Sequence, residues 1–520
     1  MEKRFNITGT CNPKIHYMVD INKKLDVIEK MVNRGDYFVI NRPRQYGKTT
    51  IISALARRLN EKYLVIRTSF EGTGEYMFQD EEKLGKELIK KFSKALRFTD
   101  IEKSKELEGT GDFIKSLEDL SEVITNFIMG SEKKVVLIID EVDKASNNEL
   151  FLSFLGLLRD KFLLAVDDLD YTFHSIVLAG VHDIKNLKLK FRKDEEAKLN
   201  SPWNIAVDFN VDMSFNIKEI ESMLKEYSSL NDLSMNTYEL AEKIYYYTSG
   251  YPFLVSRLCQ IIDEDILEEN KREWNKEDIE KAVKKLLKEK NTLFDDLIKN
   301  LENNKEIYNL VSDIVLNGST VSFNIANQLV YQGYMYGIFK EEDYRIKLNN
   351  RIYEQLIYDY LISKLEIKSD KMSIYNFKNN FITSDNNLDF EKILLKFMQF
   401  MKEQYSSIDS EFIEREGRLL FLAFIKPIVN GVGFDFKEVQ ISEEKRLDVV
   451  VTYNQKKYVI ELKIWRGNEY HKKGIKQLED YLDIQGLNKG YLVVYNFNKN
   501  KDYGEERIEI NDKEIFIVYV

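Results

Sequence analysis

The sequence predicts an α/β protein, and three observations point to it. Short apolar runs at 37–40 (YFVI), 63–67 (YLVIR), 135–139 (VVLII) and 175–179 (SIVLA) are separated by helical segments, a pattern that implies a parallel sheet covered on both faces. From about 215 to 290 the pattern turns helical, with Gly250–Tyr251–Pro252 as its only internal break. Strand-like runs then return at 447–452, 457–464 and 490–495, around a helix near 470–484.

Taken in order, residues 1–212 read as one parallel-sheet domain and 213–290 as a helical lid. Residues 291–365 read as helix, polar turn (Asn317–Gly318–Ser319), helix, a hairpin near 335–348 and another helix, the order of a winged-helix-like module. An unspecialised helical bundle is the competing reading of that stretch. Residues 366–388 are rich in Lys, Ser, Asn and Asp and read as a linker. Residues 389–520 open with helical segments and continue into the second α/β domain.

The chain has 520 residues, room for roughly three domains of ~100–150 residues, each burying its own core. A formal charge of −10 argues against coating nucleic acid over the whole surface, because phosphate affinity comes from Lys and Arg releasing counterions. A local basic groove stays open. The two cysteines, Cys11 and Cys259, are far apart in sequence and offer neither a disulfide framework nor a cysteine-rich metal site. The segment MEKRFNITGT has no apolar signal core, and no apolar run approaches the ~20 residues that span a bilayer. A cytoplasmic protein with no membrane partner is therefore expected.

The segment RPRQYGKTT follows a strand and begins a helix, the context that a phosphate-binding loop requires. Backbone N–H groups from Arg44, Gln45, Tyr46, Gly47 and Thr50 could wrap a triphosphate, Lys48 could reach its outer phosphates, and the Thr49 hydroxyl could ligate magnesium. Arg42 stands where the G-x-x-x-x-G-K-[ST] pattern has its first glycine. The second half of the site decides the matter. VVLIIDEVD (135–143) is a buried-strand run ending in acids. Asp140 would hold magnesium through water, and Glu141 would orient the attacking water. Asp143 reads as a solvated helix-start residue.

HYMVD (16–20), GDYFVINRPRQYGKTT (35–50), VVLIIDEVD, LAGVHDIKNL (178–187), SPWNIAVDF (201–209) and SGYPFLVSRLCQ (249–260) together resemble the bacterial AAA-like ATPases of the signal-transducing, STAND-related branch. The resemblance implies ATP as ligand and makes His182 a candidate γ-phosphate sensor, although a loop histidine is more often a surface residue. Gly250–Tyr251–Pro252 resembles the Gly-x-Pro element that contacts nucleotide from the lid; a simple helix-separating turn is the alternative. Arg192 and Arg257 are candidates for an arginine finger or lid sensor, against the ordinary role of a surface ion-pair partner.

In LDVVVTYNQKKYVIELKI (447–464) two apolar runs flank a polar turn, a hairpin by composition. Glu461 and Lys463 lie two apart on the second strand and so share a face. With Asp448 at the start of the first strand, three charged groups would converge. Asp448 and Glu461 could then ligate Mg2+, with Mn2+ as a substitute, while Lys463 positions water or neutralises charge on a phosphate.

This arrangement resembles the PD-(D/E)XK nuclease superfamily, which implies a restriction-endonuclease-like α/β domain. The segment 415–431 could be the preceding helix, supplying Glu416 or else Glu414 as a further ligand. The segment 474–483 resembles the following helix, whose Gln477 would face the site. Ten Lys/Arg against six Asp/Glu across 437–478 permit a phosphate-backbone partner, and Trp465 and His471 could approach it, although packing explains a lone Trp equally well.

The leading expectation is an ATPase whose nucleotide state regulates a metal-dependent nuclease acting on nucleic acid, with a role in defence or mobile-element biology implied by resemblance alone. A second is a nucleotide-dependent switch or scaffold that binds DNA or protein without cutting. A third is a remodelling ATPase working as a homo-oligomeric ring.

Overall fold

The computed structural model describes residues 3–145, 148–181, 203–267, 273–317, 320–368, 381–385, 387–405, 414–429, 440–442, 445–446, 449–453, 456–496 and 503–520. The chain divides into two compact units. The first comprises Met1–Asn300, Asn324–Glu341 and Leu348–Ile352, and the second Leu301–Phe323, Glu342–Lys347 and Tyr353–Val520.

The first unit is built on a parallel sheet. Helix α1 (Asn22–Arg34) precedes β1 (Tyr37–Asn41), α2 (Lys48–Leu59) and β2 (Leu64–Ser69). Three helices follow, α3 (Glu81–Leu96), α4 (Ile101–Thr110) and α5 (Leu117–Met129), then β3 (Val135–Asp140), α6 (Glu149–Val166) and β4 (Ser175–Gly180). The strands pair in parallel in the order β1-β4-β3-β2. A parallel bridge from Phe38 to Val207 adds one rung beyond β1. Strand β2 runs two residues past its apolar run because Ser69 still pairs with Asp140.

Period-2 alternation sends successive side chains to opposite faces, and both faces are apolar. Tyr37, Val39, Ile66, Leu137, Ile139 and Leu178 join the core with residues of α3, α5 and α6. Phe38, Ile40, Val65, Ile138, Val177 and Ala179 pack with α1 and α2. The result is a three-layer sandwich in which each strand is buried on both sides.

Four helices follow the sheet, α7 (Ile217–Leu230), α8 (Thr237–Thr248), α9 (Pro252–Ile261) and α10 (Lys276–Leu286), in the stretch the sequence reads as a lid. Reciprocal Asn caps begin α7 and α10, each satisfying two orphan donors. Lys24 on α1 ties α7 down, donating to Ser214 O at 2.7 Å and to Glu219 at 2.6 Å. The N-terminal segment is held by aromatic packing, with Phe5 5.3 Å from Tyr227 and Tyr227 5.0 Å from Trp274 between ring centroids.

The chain continues through α11 (Thr292–Asn303), α12 (Lys305–Asn317), α13 (Gln328–Met335), the hairpin β5 (Phe339–Glu342) and β6 (Arg345–Leu348), and α14 (Arg351–Lys368). The second unit then has α15 (Phe390–Tyr405), α16 (Glu414–Val429), a small ladder of β7 (Gln440–Ser442) with β8 (Lys445–Arg446), and β9 (Val449–Tyr453). It ends with β10 (Lys456–Ile464), α17 (Asn468–Gln485), β11 (Lys489–Tyr495), β12 (Gly504–Ile510) and β13 (Lys513–Tyr519).

Its five-stranded sheet has the order β12-β13-β11-β10-β9, with β10, β11 and β13 parallel and the outer strands antiparallel. Val459, Leu492, Val494 and Ile517 face α17, where Ile475, Leu478 and Leu482 cover them. The alternate residue Tyr495 faces α15 and α16: its ring lies 6.4 Å from that of Phe397, and its hydroxyl donates to Gly417 O at 2.6 Å. Gly417 is required there, since a methyl group would come within 2.9 Å of that ring.

Among the described residues, no helix is long and apolar enough to cross a membrane.

Candidate functional site

The site lies at the carboxyl ends of β1, β3 and β4, where ligands bind in open parallel sheets. The chain leaves β1 through Arg42 and enters α2 after two left-handed residues, Gln45 (φ 55°) and Gly47 (φ 78°). The Lys48 ammonium, buried inside this loop, donates to Arg42 O and Pro43 O, both at 2.9 Å. Burial pushes Lys48 below the ordinary lysine range, with Glu141, Asp143 and Asp140 pulling the other way. Thr49 is half-buried in the first turn of α2, and the Thr50 hydroxyl accepts Cys11 N–H at 3.2 Å.

Arg42, in the place of the expected glycine, has a structural explanation. Its guanidinium donates to Asn41 O at 2.8 Å and to Val211 O at 2.7 Å, and it lies 5.2 Å over the Phe209 ring. The side chain anchors the segment leaving the sheet, a role a glycine could not fill.

Asp140 ends β3 almost fully buried, and its Oδ1 accepts Glu141 N–H at 2.9 Å. Glu141 itself has φ 55°, a left-handed conformation that costs an L-residue roughly 1–2 kcal/mol. Partial burial, then Asp143 and Asp140, hold its carboxyl above the usual carboxylate range. Asp143 stands in the first turn of the short helix Val142–Lys144, as expected, but its surroundings differ from the expectation. It is half-buried rather than solvated, and its Oδ1 accepts Val181 N–H at 3.1 Å at the end of β4.

The turn Gly250–Tyr251–Pro252 between α8 and α9 reaches the loop, so it does more than separate two helices. The Tyr251 hydroxyl donates to Arg44 O at 2.6 Å, and its ring packs edge-on against Tyr46 at 4.7 Å. Arg44 pairs with Asp296 at 3.0 Å, and Gln45 donates to Thr292 at 3.0 Å. Gly337 approaches Pro43 so closely that an added methyl would stand 2.7 Å from its ring. Arg257 is engaged elsewhere, in a two-point ion pair with Glu289 at 2.6 and 3.0 Å, so its position is that of a lid ion pair rather than a free finger. His182 and Arg192 lie outside the described residues.

This geometry can cradle phosphate on the amide groups of Arg44 to Thr50 at the start of α2, beside the buried ammonium of Lys48. Thr49 and Asp140 present hard oxygen donors of the kind magnesium takes.

In the second unit, Glu461 is fully buried on an inner strand and pairs with Lys463 Nζ at 2.8 Å. The stem of Lys463 lies along α17 against Gly474, where an added methyl would stand 3.3 Å from Lys463 Cγ. Gln477 follows less than one turn later and is half-buried. Asp448 lies outside the described residues, as does the side chain of Glu416; α16 packs on the sheet face opposite α17. Among the described residues, no group of three or more His, Cys, Asp or Glu side chains is placed to hold a metal ion. Trp465 and His471 pack on each other and on Tyr519, with Trp465 and His471 ring centroids 5.3 Å apart. Burial keeps His471 below the ordinary imidazole range.

The parallel sheet, the loop at the start of α2 and the acids ending β3 define a P-loop ATPase of the AAA kind. The chain belongs to the AAA-like domain family, whose profile matches residues 13–359. Solved structures similar to it include a Walker-type ATPase of Pyrococcus abyssi, at 15% identity and TM-score 0.47, over 68% of this chain and 99% of that one. Another is the RuvB Holliday junction branch migration motor of Thermotoga maritima, at 17% identity and TM-score 0.32, over 65% of this chain and 93% of that one. A third is the ORC1 protein of Aeropyrum pernix in complex with DNA, at 12% identity and TM-score 0.30, over 67% of this chain and 94% of that one. A search of curated proteins found no match.

Sequence reasoning missed Thr292, Asp296, Gly337 and Gly180 as neighbours of the site. No local pattern in the sequence marks these four, because each meets the site through a contact between distant segments.

Proposed function

We propose that this chain is an ATP-hydrolysing regulator whose nucleotide state controls a metal-dependent, nuclease-like C-terminal domain acting on nucleic acid. Lys48 and Thr49 hold the triphosphate and its magnesium with Asp140, and Glu141 orients the attacking water. Asp448, Glu461 and Lys463 form the second centre, in keeping with the resemblance to PD-(D/E)XK enzymes; α16, which carries Glu416, packs on the sheet face opposite the one that Glu461 and Lys463 share, so Glu416 is not counted in it.

The observation that carries this reading is the fully buried Glu461 carboxylate, 2.8 Å from Lys463 on an inner strand. Burying an ion pair costs desolvation that an apolar pair of similar volume would avoid, so chemistry is a better reason for the pair than stability. A lone carboxylate does not hold a cation, so Asp448 would share the metal with Glu461.

The test is a nicking assay with the full chain, Mg2+ or Mn2+, and DNA or RNA, run with and without ATP. Metal-dependent cutting that is lost in Lys463→Ala supports the proposal; no cutting of either nucleic acid under any condition removes it. In the first unit, Lys48→Ala should abolish ATP binding, while Glu141→Gln should bind ATP and trap it.

A second reading, a nucleotide-dependent switch of the STAND-related kind that binds without cutting, is favoured by the grip of Tyr251, Thr292 and Asp296 on the loop. Hydrogen exchange at 292–300 that changes with ATP, in a protein inactive on nucleic acid, would favour it.

A further inference from the structure

We propose that Asp143 is a positioning residue for ATP hydrolysis, its carboxylate tying the turn that carries Glu141 to the carboxyl end of β4. The inference rests on the reading of Glu141 as the group that orients water.

Glu141 sits immediately past β3 with φ 55° and ψ 39°. A non-glycine residue keeps such a conformation only where its surroundings over-determine it. Two restraints are local: Glu141 N–H donates to Asp140 Oδ1 at 2.9 Å, and Lys144 N–H donates to Glu141 O at 3.1 Å. The first ties Glu141 only to the adjoining last residue of β3, and the second lies within the turn.

The third comes from across the site. Asp143 Oδ1 accepts the N–H of Val181 at 3.1 Å, from the residue that follows β4, the strand next to β3 in the sheet. Gly180 makes the approach feasible. A methyl group there would stand 2.6 Å from Asp143 Oδ1 and 3.1 Å from Val142 Cγ2. Asp143 and Gly180 therefore work as one latch, in which the acid supplies the acceptor and the glycine leaves room for it. Because Glu141 is two residues from the latch, loosening it frees the backbone that aims the Glu141 carboxylate, while Lys48 still holds the phosphate-binding loop through Arg42 O and Pro43 O. Gly180 touches that loop only through its carbonyl, which accepts Arg42 N–H at 3.3 Å and which an added methyl does not remove.

The experiment measures steady-state ATP hydrolysis and, separately, binding of a fluorescent ATP analogue to the full chain, with melting curves to verify folding. Asp143→Ala and Gly180→Ala should each lower kcat about tenfold or more, since small misplacements of a catalytic group are costly. Affinity for the analogue should stay within about threefold of wild type, the split expected when an interaction serves the reaction rather than binding. Asp143→Asn keeps an oxygen acceptor for Val181 N–H and should retain kcat within about threefold. In the Asp143→Ala background, Gly180→Ala should add less than about twofold, since the coupling partner is gone.

Wild-type kcat in Asp143→Ala, or a loss in Asp143→Asn as large as in Asp143→Ala, overturns the latch. Glu141→Gln is the control that separates the two levels. If Glu141→Gln turns over normally, the reading of Glu141 fails. If Glu141→Gln is inert while Asp143→Ala is normal, only the latch fails.

Discussion

Gly250→Ala tests how the lid is seated on the phosphate-binding loop. Gly250 has φ 73°, and a β-carbon there would lie 1.9 Å from Phe215 O and 2.8 Å from both Phe215 C and N. These are backbone atoms, so no rotamer change relieves the contact. Phe215 N–H also donates to Gly250 O at 2.8 Å. The left-handed backbone costs an alanine roughly 1–2 kcal/mol. Separating the two strands of chain to admit the methyl sacrifices that hydrogen bond, about another 1 kcal/mol. The expected loss is therefore about 2–3 kcal/mol.

Gly72→Ala isolates the backbone contribution, because Gly72 has φ 69° with nothing within 4 Å of its would-be β-carbon. The assay is urea unfolding followed by tryptophan fluorescence in a Trp465→Phe background. Trp203 and Trp274, both buried in the first unit, are then the only tryptophans left to report. Gly250→Ala should lower the unfolding free energy extrapolated to water by at least about 1 kcal/mol more than Gly72→Ala. Equal losses, within about 0.5 kcal/mol, would refute the steric argument. The same variant should weaken ATP-analogue binding, since Tyr251 follows directly and its hydroxyl holds Arg44 O.

Two further predictions follow from the same unit. Arg42→Gly restores the consensus loop yet should destabilise the first unit by about 2 kcal/mol, because charged hydrogen bonds to Asn41 O and Val211 O are lost; unchanged urea stability would contradict this. Burial holds His174 below the ordinary imidazole range, so the unfolded chain takes up its proton first. Stability is then full above about pH 6.5 and falls as pH drops through the folded-state value. His174→Gln should flatten that acid-side decline, read from melting temperatures between pH 7.5 and 5, whereas an unaltered slope would assign the decline to other groups.

The strands and helices around the site were legible because each is encoded over a few neighbouring residues. Continuous apolar runs marked β1, β3 and β4, and Gly-Lys-Thr at a helix start marked the loop. The Glu461–Leu462–Lys463 spacing likewise fixed a shared face, since strand side chains alternate whatever the surrounding fold. Asp143 was misjudged for the opposite reason. Its local neighbours describe a turn residue, and nothing nearby in sequence reveals the Val181 N–H that it meets.

The sequence by itself therefore determined the class of fold and the residues at the ends of β1 and β3, through short apolar runs and short-range chemistry. Only the tertiary structure decided what holds those residues in place. The Arg42 guanidinium on Val211 O, the Tyr251 hydroxyl on Arg44 O and Gly337 against Pro43 join segments far apart in the chain. Such contacts are single hydrogen bonds and single steric fits with no repeating pattern, so they exist for the reader only once the helices and strands have packed.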